Sequence, residues 1–445
     1  MKKIFYVTLA ILLLTLLIFN SCGNTDESTP DTDSASNVES TDTHETQADT
    51  SSVETVTESS SEPETQPVTE TESDTETESE TETESESEII EPVYEAKTVE
   101  NEDGTKTLYY LDYEMNQPSL TPYYHNYQAA VSFTFDDGYN TATGTFVTNL
   151  FKQYGFHATE MINPCFLNNT NIAEWNAIFA EGIMDVGCHG YDHLNPVGLD
   201  PSKYEHEIKD AKDFLKNAFP GQNVLTFATP YAHIDQSYED YLVQHFLSDR
   251  LETEGSRVTL GTDFNPMRIR SYSFNKGQQL AQLSDIKRNI KREIKYGRWG
   301  VVCCHCVLDE PVNSTDVSKA DLTEFCQYLY DEYDGLVWFP SFEEATIYQY
   351  QHLNTNITYT DCDSESITFN ITCSLDKDIF NIPMSVKIYI PEFADTAYIM
   401  VDGEQQPLEV NVEEETNNKY VIILDTPIYD SEIKVYISKQ NNDED

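Results

Sequence analysis

The sequence predicts an α/β fold, a distorted (β/α) barrel, followed by a small all-β sandwich. From about residue 128 to residue 350, strand-like runs alternate with segments of helical periodicity, as in a parallel α/β sheet. After about residue 352, short β-rich runs follow one another without helices between them, which is typical of a sandwich. Because the chemistry of barrel folds lies at the carboxyl ends of the parallel strands, functional side chains are expected at those ends.

The chain begins with a segment that is typical of export. Two lysines precede an apolar run from Ile4 to Phe19, and Cys22 follows between a serine and a glycine. We predict that residues 1–22 are a lipoprotein-type signal peptide that is lipidated at Cys22. An uncleaved membrane anchor is the alternative, although the apolar run is shorter than the ~20 residues that a span needs. In either case the protein is expected to be extracellular, on a bacterial cell surface and anchored in the membrane.

Residues 23–92 form an acidic tract of Ser, Thr and Glu that contains no Lys or Arg. This composition buries too little apolar surface to offset the entropy of ordering, so we predict a disordered linker. The chain of 445 residues has a formal net charge of -53, and the part that follows the tract is also acidic. Nucleic acid is therefore not expected as a partner, because its binding depends on a basic surface.

Residues 93–352 are predicted to form the barrel domain. It begins with a β-hairpin over residues 93–115, whose turn is Asn101-Glu102-Asp103-Gly104. Strands are predicted at 130–136, 157–163, 184–189, 224–231, 257–262, 268–274, 300–307 and 336–340. Helical periodicity is clearest at 201–218, 277–296 and 319–332.

Residues 353–445 are predicted to form the sandwich, with turns at Asp402-Gly403 and Asn417-Asn418. A structural role is favoured over carbohydrate binding, because the sequence shows no exposed row of aromatic residues there. The predicted strands are 356–361, 366–373, 384–390, 396–401, 419–425 and 432–438.

Eight cysteines follow Cys22, and four of them adjoin histidines within strand-like runs. Neighbouring residues of a strand point to opposite faces, so disulfides would be awkward there. Free thiols are therefore predicted. Cys362 and Cys373 are the candidate pair for a disulfide, which their spacing alone does not establish.

Two adjacent carboxylates, Asp136 and Asp137, follow an apolar strand and precede a glycine. About fifty residues later come His189 and His193, four positions apart. One carboxylate with two imidazoles is the three-ligand set of a catalytic zinc, which keeps its fourth position for water. The second carboxylate is then free to act as a base. Taken alone, the aspartates could belong to an ordinary turn, and each histidine could be a core residue. Together, at the ends of successive strands, they indicate a functional site.

These motifs resemble, in their order, those of polysaccharide deacetylases, the NodB-homology group or carbohydrate esterase family 4. The resemblance covers roughly residues 128 to 350. It includes Ser-Phe-Thr-Phe-Asp-Asp-Gly-Tyr, the histidine pair, Thr-Phe-Ala-Thr-Pro-Tyr ending at Tyr231, and Val-Val-Cys-Cys-His ending at His305. It implies a barrel of the polysaccharide deacetylase type that binds Zn²⁺, or another divalent metal such as Co²⁺ or Ni²⁺.

The resemblance also implies a role for each matching residue. Asp136 is expected to be the general base, His305 the general acid, and the backbone N–H of Tyr231 a donor to the oxyanion. The expected metal ligands are Asp137, His189 and His193.

The chain departs from the family pattern where many relatives have an arginine that pairs with the base. Ala228 and Thr229 stand there instead, before Pro230. Arg268 and Arg270 are candidates to supply the missing charge, and an ordinary salt-bridged arginine is the equal alternative. Ala232 replaces a usual glycine, and Glu160 replaces an aromatic residue without a physical account from the sequence.

The resemblance implies a metal-dependent hydrolase that removes acetyl groups from the N-acetylated sugars of a polysaccharide or oligosaccharide. One alternative is an esterase that removes O-acetyl groups from a plant polysaccharide such as xylan. Another is a surface carbohydrate-binding protein that has lost catalysis together with its arginine. The retention of both Asp136 and His305 argues against a pure binder, which needs neither.

Overall fold

The fold is seen in a computed structural model of the chain. It describes residues 97–100, 106–109, 117–253, 255, 257–277, 281–362, 366–390, 396–406, 411–415, 419–426, 429 and 431–438. The predicted signal peptide and acidic linker lie outside these residues. Among the described residues, none of the helices is both long and apolar enough to cross a membrane.

The described strands are numbered in chain order. The first three precede the barrel: β1 (Lys97–Glu100), β2 (Lys106–Tyr109) and β3 (Ser119–Leu120). The barrel strands are β4 (Ala129–Asp137), β5 (Ala158–Ile162), β6 (Met184–Cys188), β7 (Thr226–Ala228), β8 (Ser248–Leu251), β9 (Ile269–Arg270), β10 (Tyr272–Ser273), β11 (Trp299–Cys304) and β14 (Val337–Trp338). A short parallel pair, β12 (Val307–Leu308) and β13 (Val317–Ser318), stands beside them.

The barrel sheet is parallel throughout and nearly closed. Its strand order is β10-β11-β4-β5-β6-β7-β8-β9, and β14 pairs with β4. The extended segment Ile269–Ser273 supplies both ends of this path, because β9 pairs with β8 and β10 pairs with β11. The predicted (β/α) barrel is therefore confirmed, and all its strands end at the same rim.

Seven α-helices are described around this sheet, together with a π-helical turn, Glu205–Asp210, that leads into the third of them. They are α1 (Thr141–Phe151), α2 (Asn169–Phe179), α3 (Ala211–Ala218), α4 (Gln236–Leu242), α5 (Leu283–Lys295), α6 (Lys319–Tyr333) and α7 (Phe342–Asn354).

The core is split into two layers by the alternation of side chains along β4. Phe133 and Phe135 pack into the cluster between the sheet and the helices, whereas Ala130 belongs to a second cluster with Trp299 and Ala228. The Trp299 indole donates to the Ser132 hydroxyl at 2.9 Å across that second layer. A strand that is buried on both faces explains why β4 is apolar almost without interruption until its two terminal aspartates.

The remaining strands form the predicted all-β region. They are β15 (Thr355–Cys362), β16 (Ser366–Cys373), β17 (Met384–Ile390), β18 (Thr396–Val401), β19 (Glu404–Gln406), β20 (Asn411–Glu415), β21 (Lys419–Thr426) and β22 (Ser431–Ser438). Two sheets result, β15-β16-β22-β18-β19 and β20-β21-β17-β3. Because β3 precedes the barrel in sequence, the second sheet takes one edge strand from outside the predicted 353–445 range.

Two sequence-based predictions about elements need correction, and one barrel strand was missed. The predicted strand 257–262 is only an isolated bridge from Val258 to Trp299. The predicted helix 277–296 begins at Leu283 in the described residues. The barrel strand β8 was missed, because its sequence Ser-Asp-Arg-Leu carries two charges and does not look like a buried strand.

The structure agrees with the predicted hairpin and with the predicted free thiols. β1 and β2 pair antiparallel, as expected for the hairpin. Seven cysteines, including Cys373, are free thiols. A Cys362–Cys373 disulfide is wrong, because the strand register sets Cys373 opposite Thr355 and Cys362 opposite Ile367, at the two ends of the pair.

Candidate active site

The two aspartates occupy the last two positions of β4, where the chain turns sharply. Asp137 and Gly138 both have positive φ, 81° and 75°. A Cβ on residue 138 would lie 2.8 Å from the Ile162 side chain, so the turn requires glycine. The Trp175 indole donates to the Gly138 carbonyl at 2.8 Å and holds the turn against α2. The turn sends the Asp136 side chain into the barrel and leaves Asp137 partly exposed at its rim.

His189 follows β6 and is held in one orientation. Its Nδ1 lies 2.7 Å from the Ala228 carbonyl oxygen, which can only accept, so Nδ1 carries the proton and Nε2 keeps a free lone pair. Burial lowers the pKa of this imidazole to about 3, despite the opposing effect of the Asp136 carboxylate. A neutral imidazole with a fixed tautomer is the form that binds a metal.

His193 lies on the loop that follows β6, with a left-handed φ of 57°. The carboxylate of Glu207 accepts hydrogen bonds from the backbone N–H groups of Asp192, at 3.2 and 3.3 Å, and of Leu194, at 3.4 Å. These two residues flank His193 directly. Glu207 is 1% exposed and lies in the π-helical turn, so a buried carboxylate holds the loop in its strained shape.

Asp137, His189 and His193 come together as a cluster whose ligand atoms all lie within 4.8 Å of one another. The Nε2 atom of His193 is 3.9 Å from Oδ1 of Asp137. One carboxylate oxygen and two imidazole nitrogens at the open rim of the barrel suit Zn²⁺ or a similar divalent cation. The donor set expected from the sequence is thus assembled in one place, although the metal itself remains a prediction.

Asp136 is buried and paired with an arginine that the sequence did not indicate. Nη2 of Arg250 donates to both of its carboxylate oxygens at 2.6 Å, and the two side chains are 1% and 2% exposed. Burial alone would raise the pKa of Asp136, but Arg250 together with His189 and His305 lowers it to about 2. Asp136 is therefore ionised at neutral pH.

The expected support of Asp136 by Arg268 or Arg270 is wrong. Arg268 forms an ion pair with Glu239 instead, and Arg270 is exposed. The register of β7 and β8 gives the physical reason, because Ala228 and Arg250 are paired Cα partners. Registered residues of parallel strands point to the same side of the sheet, so Arg250 reaches Asp136 from one strand further along. Recognising β8 as a strand would have revealed it.

His305 directly follows β11 and lies near the same carboxylate. Its Nε2 is 4.0 Å from Oδ2 of Asp136, and its side chain is 15% exposed. The Cys303 thiol donates to the same oxygen at 3.5 Å. Asp136, Cys303 and His305 also form a compact cluster of metal-ligand type, but the guanidinium of Arg250 beside Asp136 disfavours a cation there.

Tyr231 lies in the turn that follows β7, with a left-handed φ of 60°, and Ala232 also has a positive φ of 66°. The Tyr231 ring is 57% exposed, and its centroid is 4.9 Å from that of His193. Tyr231 is therefore close to the cluster. Its assigned role, donation from its backbone N–H, remains a prediction.

Glu160, which the sequence left without an account, lies in β5 opposite Phe135 of β4. It is 3% exposed, and among the described residues its Oε2 has no hydrogen-bond partner. Burial, reinforced by Asp136 and Asp137, raises the pKa of Glu160 well above its usual value. Burial thus favours the neutral form of this carboxyl group behind the aspartate turn, and its presence there has no functional explanation.

Comparison with known proteins was made by sequence and by structure. The family model described as polysaccharide deacetylase matches residues 125–247. A curated relative, a gellan lyase from a Bacillus species, is 23% identical over 322 residues, which are 67% of this chain and 12% of that protein. The chain thus spans about an eighth of the length of that relative.

Two solved structures resemble the chain at low overall similarity. A family 4 carbohydrate esterase from Streptomyces lividans is 20% identical, with a TM-score of 0.34 over 46% of this chain and 90% of that one. A peptidoglycan deacetylase from Bacillus subtilis is 17% identical, with a TM-score of 0.35 over 50% and 91%. The family match itself contains the aspartate turn, both histidines and Tyr231, whereas Arg250 and His305 lie beyond it. Residues 125–247 therefore match the polysaccharide deacetylase family model, and the rest of the chain lies outside that match.

Proposed function

We propose that the protein is a metal-dependent hydrolase that removes acetyl groups from the N-acetylated sugars of a polysaccharide. Polysaccharide deacetylases act on acetylated carbohydrates, and the match over residues 125–247 supports that general activity. One observation carries the proposal beyond the family. An ionised, buried Asp136 lies beside the cluster of Asp137, His189 and His193, which supports the assignment of one aspartate as base and the other as ligand.

Asp137, His189 and His193 would hold the divalent cation, which when bound would supply positive charge that makes a water molecule easier to deprotonate and stabilises an oxyanion. Asp136 is positioned to accept the proton, because Arg250 keeps it ionised and fixes its orientation. The backbone N–H of Tyr231 is assigned to the oxyanion that develops on the acetyl oxygen.

His305 is assigned the proton that the departing nitrogen needs. An amine leaves poorly unless it is protonated, so an amide substrate requires an acid more strongly than an ester does. The 4.0 Å distance between Nε2 of His305 and Oδ2 of Asp136 supports this assignment, because one bound acetamido group could reach both side chains. This pairing supports N-deacetylation over O-deacetylation.

Arg250 also bears on the alternative of a binding protein that has lost catalysis. That alternative was motivated by the absence of an arginine before the Pro-Tyr motif. A guanidinium pairs with Asp136 from β8, so the charge that supports the base is present.

The test is acetate release by the secreted chain, with Zn²⁺ present, from acetylated chito-oligosaccharides, peptidoglycan fragments and acetyl-xylan. We expect release from an N-acetylated substrate. Release from acetyl-xylan alone would establish the O-acetyl esterase, and no release from any of the three would refute the enzyme.

Two matched variants test the division of labour between the aspartates. Asp136→Asn is expected to abolish acetate release while zinc remains bound, and Asp137→Asn is expected to lose the zinc as well. Metal analysis after gel filtration separates the two outcomes, and the reverse pattern would mean that the two roles are exchanged.

We further propose that the protein is exported and held at the bacterial surface through a lipid on Cys22. The apolar run from Ile4 to Phe19 and the cysteine that follows support this. Globomycin-sensitive processing and mass spectrometry of the mature amino terminus would test it, and an unmodified terminus or another cleavage point would contradict it.

A further inference from the structure

A second cluster of metal-ligand type lies outside the candidate active site. Asp192, His206 and Glu207 each offer one ligand atom, and these three atoms lie within 4.8 Å of one another. Asp192 lies on the loop that follows β6, whereas His206 and Glu207 lie in the π-helical turn Glu205–Asp210. Neither Asp192 nor His206 has a part in the proposed deacetylation, so the cluster calls for an explanation of its own.

His206 lies between two carboxylates, one at each ring nitrogen. Its Nε2 is 3.2 Å from Oδ2 of Asp192, and its Nδ1 is 3.5 Å from Oδ2 of Asp210. A metal-binding imidazole usually donates its second N–H to a carboxylate or a carbonyl, which fixes the tautomer and leaves the other nitrogen for the cation. In the candidate active site, His189 is held in this way by the Ala228 carbonyl. Asp210 is placed to do the same for His206, with Nε2 facing the cluster.

Packing also restricts the His206 ring. It lies against the Tyr191 ring at a centroid distance of 4.2 Å and an interplanar angle of 30°. Tyr191 in turn contacts Phe214 of α3 edge-on, at 5.9 Å and 71°. The His206 side chain is 39% exposed, so a cation can reach it from solvent. A ligand that is already oriented loses less conformational freedom when the cation binds.

Glu207 supplies the buried wall of the cluster. Its two carboxylate oxygens accept from the backbone N–H groups of Asp192 and Leu194 at 3.2 to 3.4 Å. These hydrogen bonds are long, and an ionised carboxylate has about four lone-pair sites, so it can still bind a cation. Asp192 and His206 are its ionisable neighbours, and an imidazole rather than a lysine or arginine therefore stands beside the buried charge. Buried charges are ordinarily paired or bind a metal, and a divalent cation would balance both carboxylates.

The donor set and its spacing define the class of cation. One imidazole nitrogen with two carboxylate oxygens suits a divalent transition metal such as Zn²⁺, Co²⁺ or Mn²⁺. Bonds of about 2.0–2.2 Å place the ligand atoms of a tetrahedral zinc site about 3.3–3.6 Å apart. The 3.2 Å between Nε2 of His206 and Oδ2 of Asp192 is already close to that spacing. Small side-chain shifts are enough for the remaining ligand atoms, which lie within 4.8 Å.

We propose that Asp192, His206 and Glu207 bind a second divalent transition metal, separate from the cation of the candidate active site. Its role is structural, because it joins the loop that follows β6 to the π-helical turn. Asp192 directly precedes His193, whose backbone has a positive φ, so the cation stabilises the loop at its strained residue. This site does not depend on the proposed function, since a protein that releases no acetate would still bind the second cation.

The first test counts zinc ions. The full secreted chain is stripped with a chelator, loaded with Zn²⁺ and passed through gel filtration, and zinc per chain is measured by elemental mass spectrometry. The unmodified protein is expected to hold two zinc ions, and His206→Gln one. Asp137→Asn, which loses the zinc of the active site, is also expected to hold one. Glu207 is left unchanged, because it also holds the backbone beside His193.

His245→Gln is the matched control. His245 is also partly buried and also packs on a tyrosine, Tyr241 at 4.9 Å. It follows α4 and belongs to none of the candidate metal clusters among the described residues. The control is expected to keep both zinc ions. Equal zinc contents in His206→Gln and His245→Gln would refute the second site, because metal held by scattered surface carboxylates is lost from neither variant.

The second test observes the site directly in Asp137→Asn. Diethyl pyrocarbonate modifies free imidazole nitrogens, and peptide mass spectrometry reports the extent at each histidine. Modification of His206 is expected to slow about tenfold once free Zn²⁺ exceeds the dissociation constant tenfold, while His245 is unaffected. Protection of His206 supports the second site even if Asp137→Asn keeps two zinc ions, which would refute only the assignment of Asp137. No protection by Zn²⁺ would show that His206 is an ordinary ion-paired histidine between Asp192 and Asp210, and would refute the site.

Discussion

Replacement of Arg250 by methionine tests the most important contact that the structure adds to the site. Both partners of the Arg250–Asp136 pair are almost completely buried, at 1% and 2% exposure, and the contacts are 2.6 Å. The pair therefore belongs with buried ion pairs, where loss of one partner costs about 3–5 kcal/mol, and not with surface pairs, which are worth about 0–1 kcal/mol. Methionine retains most of the stem volume, so the loss reports mainly on the charge.

The loss of Arg250 also changes the protonation of the base. Arg250 is the largest influence that lowers the pKa of Asp136 to about 2, against the effect of burial, which raises it. Without the guanidinium, burial prevails and the pKa rises. Because the base must be ionised, the acid limb of the kcat/KM profile is expected to move to higher pH. At neutral pH, kcat/KM is expected to fall by about 10²-fold or more, within the range of general base assistance.

The sign of the stability effect follows from the same pKa. A carboxyl group whose pKa is lowered by folding stabilises the protein above its unfolded pKa, and that contribution disappears as the pH falls through the folded pKa. Arg250→Met is therefore expected to be destabilised most at neutral pH. The difference from the unmodified protein should shrink as the pH falls below the raised pKa of Asp136 in the variant, and it should be smallest only near pH 2, where Asp136 of the unmodified protein is protonated as well.

The assay is acetate release from pH 4 to 9, together with thermal unfolding at each pH. Arg268→Met and Arg270→Met are the matched controls and are expected to keep kcat/KM within about twofold, since surface ion pairs contribute little. In Arg250→Ala with Ala228→Arg, the guanidinium returns from the neighbouring strand, about 4.8 Å away. The kcat/KM of this double variant is expected to be at least tenfold higher than that of Arg250→Met. A wild-type pH profile in Arg250→Met, or an equal loss in Arg268→Met, would refute the reasoning.

Two further predictions concern the metal and the acid. Glu207→Gln replaces the carboxylate that holds both backbone N–H groups beside His193, so zinc affinity measured by competition with a chromophoric chelator is expected to fall about tenfold. Glu205→Gln, at an exposed position of the same turn, is the control, and equal zinc affinities in the two variants would contradict a positioning role. His305→Gln is expected to lower deacetylation of an N-acetyl sugar by about 10²-fold or more, with a much smaller effect on an activated aryl acetate. Equal losses on amide and ester would show that His305 is not the acid.

The sequence predicted the barrel and the β-rich region because their patterns are local. Alternation of strands with helices over residues 128–350 is enough to indicate a parallel sheet, and the loss of that alternation indicates the second region. The barrel strand that the sequence did not predict was β8, in which Asp249 and Arg250 follow each other. Charged residues in a buried strand are stable only with partners from other strands, and a reading of local pattern does not include those partners.

The residues of the candidate site also fall into those that the sequence indicated and those that only the structure revealed. Asp136, Asp137, His189 and His193 were recognisable because each motif is contiguous and lies at a strand end. By contrast, the pairing of Arg250 with Asp136 joins residues 114 positions apart, and the sequence pointed to Arg268 and Arg270 instead. The sequence also did not indicate the hydrogen bond from the Cys306 thiol to the Tyr139 hydroxyl, which joins residues 167 positions apart.

The sequence by itself indicated which side chains are the candidate ligands and which is the candidate base, because a turn and a pair of histidines are properties of neighbouring residues. Tertiary structure alone decided that Arg250 is the cation beside Asp136 and that the Tyr231 ring packs on His193. Both depend on the register and order of parallel strands, and Ala228 and Arg250 show why. Because Ala228 and Arg250 are paired in register, an arginine on either strand can reach the same point inside the barrel. The chain can therefore lack the arginine before its Pro-Tyr motif while the site retains a guanidinium.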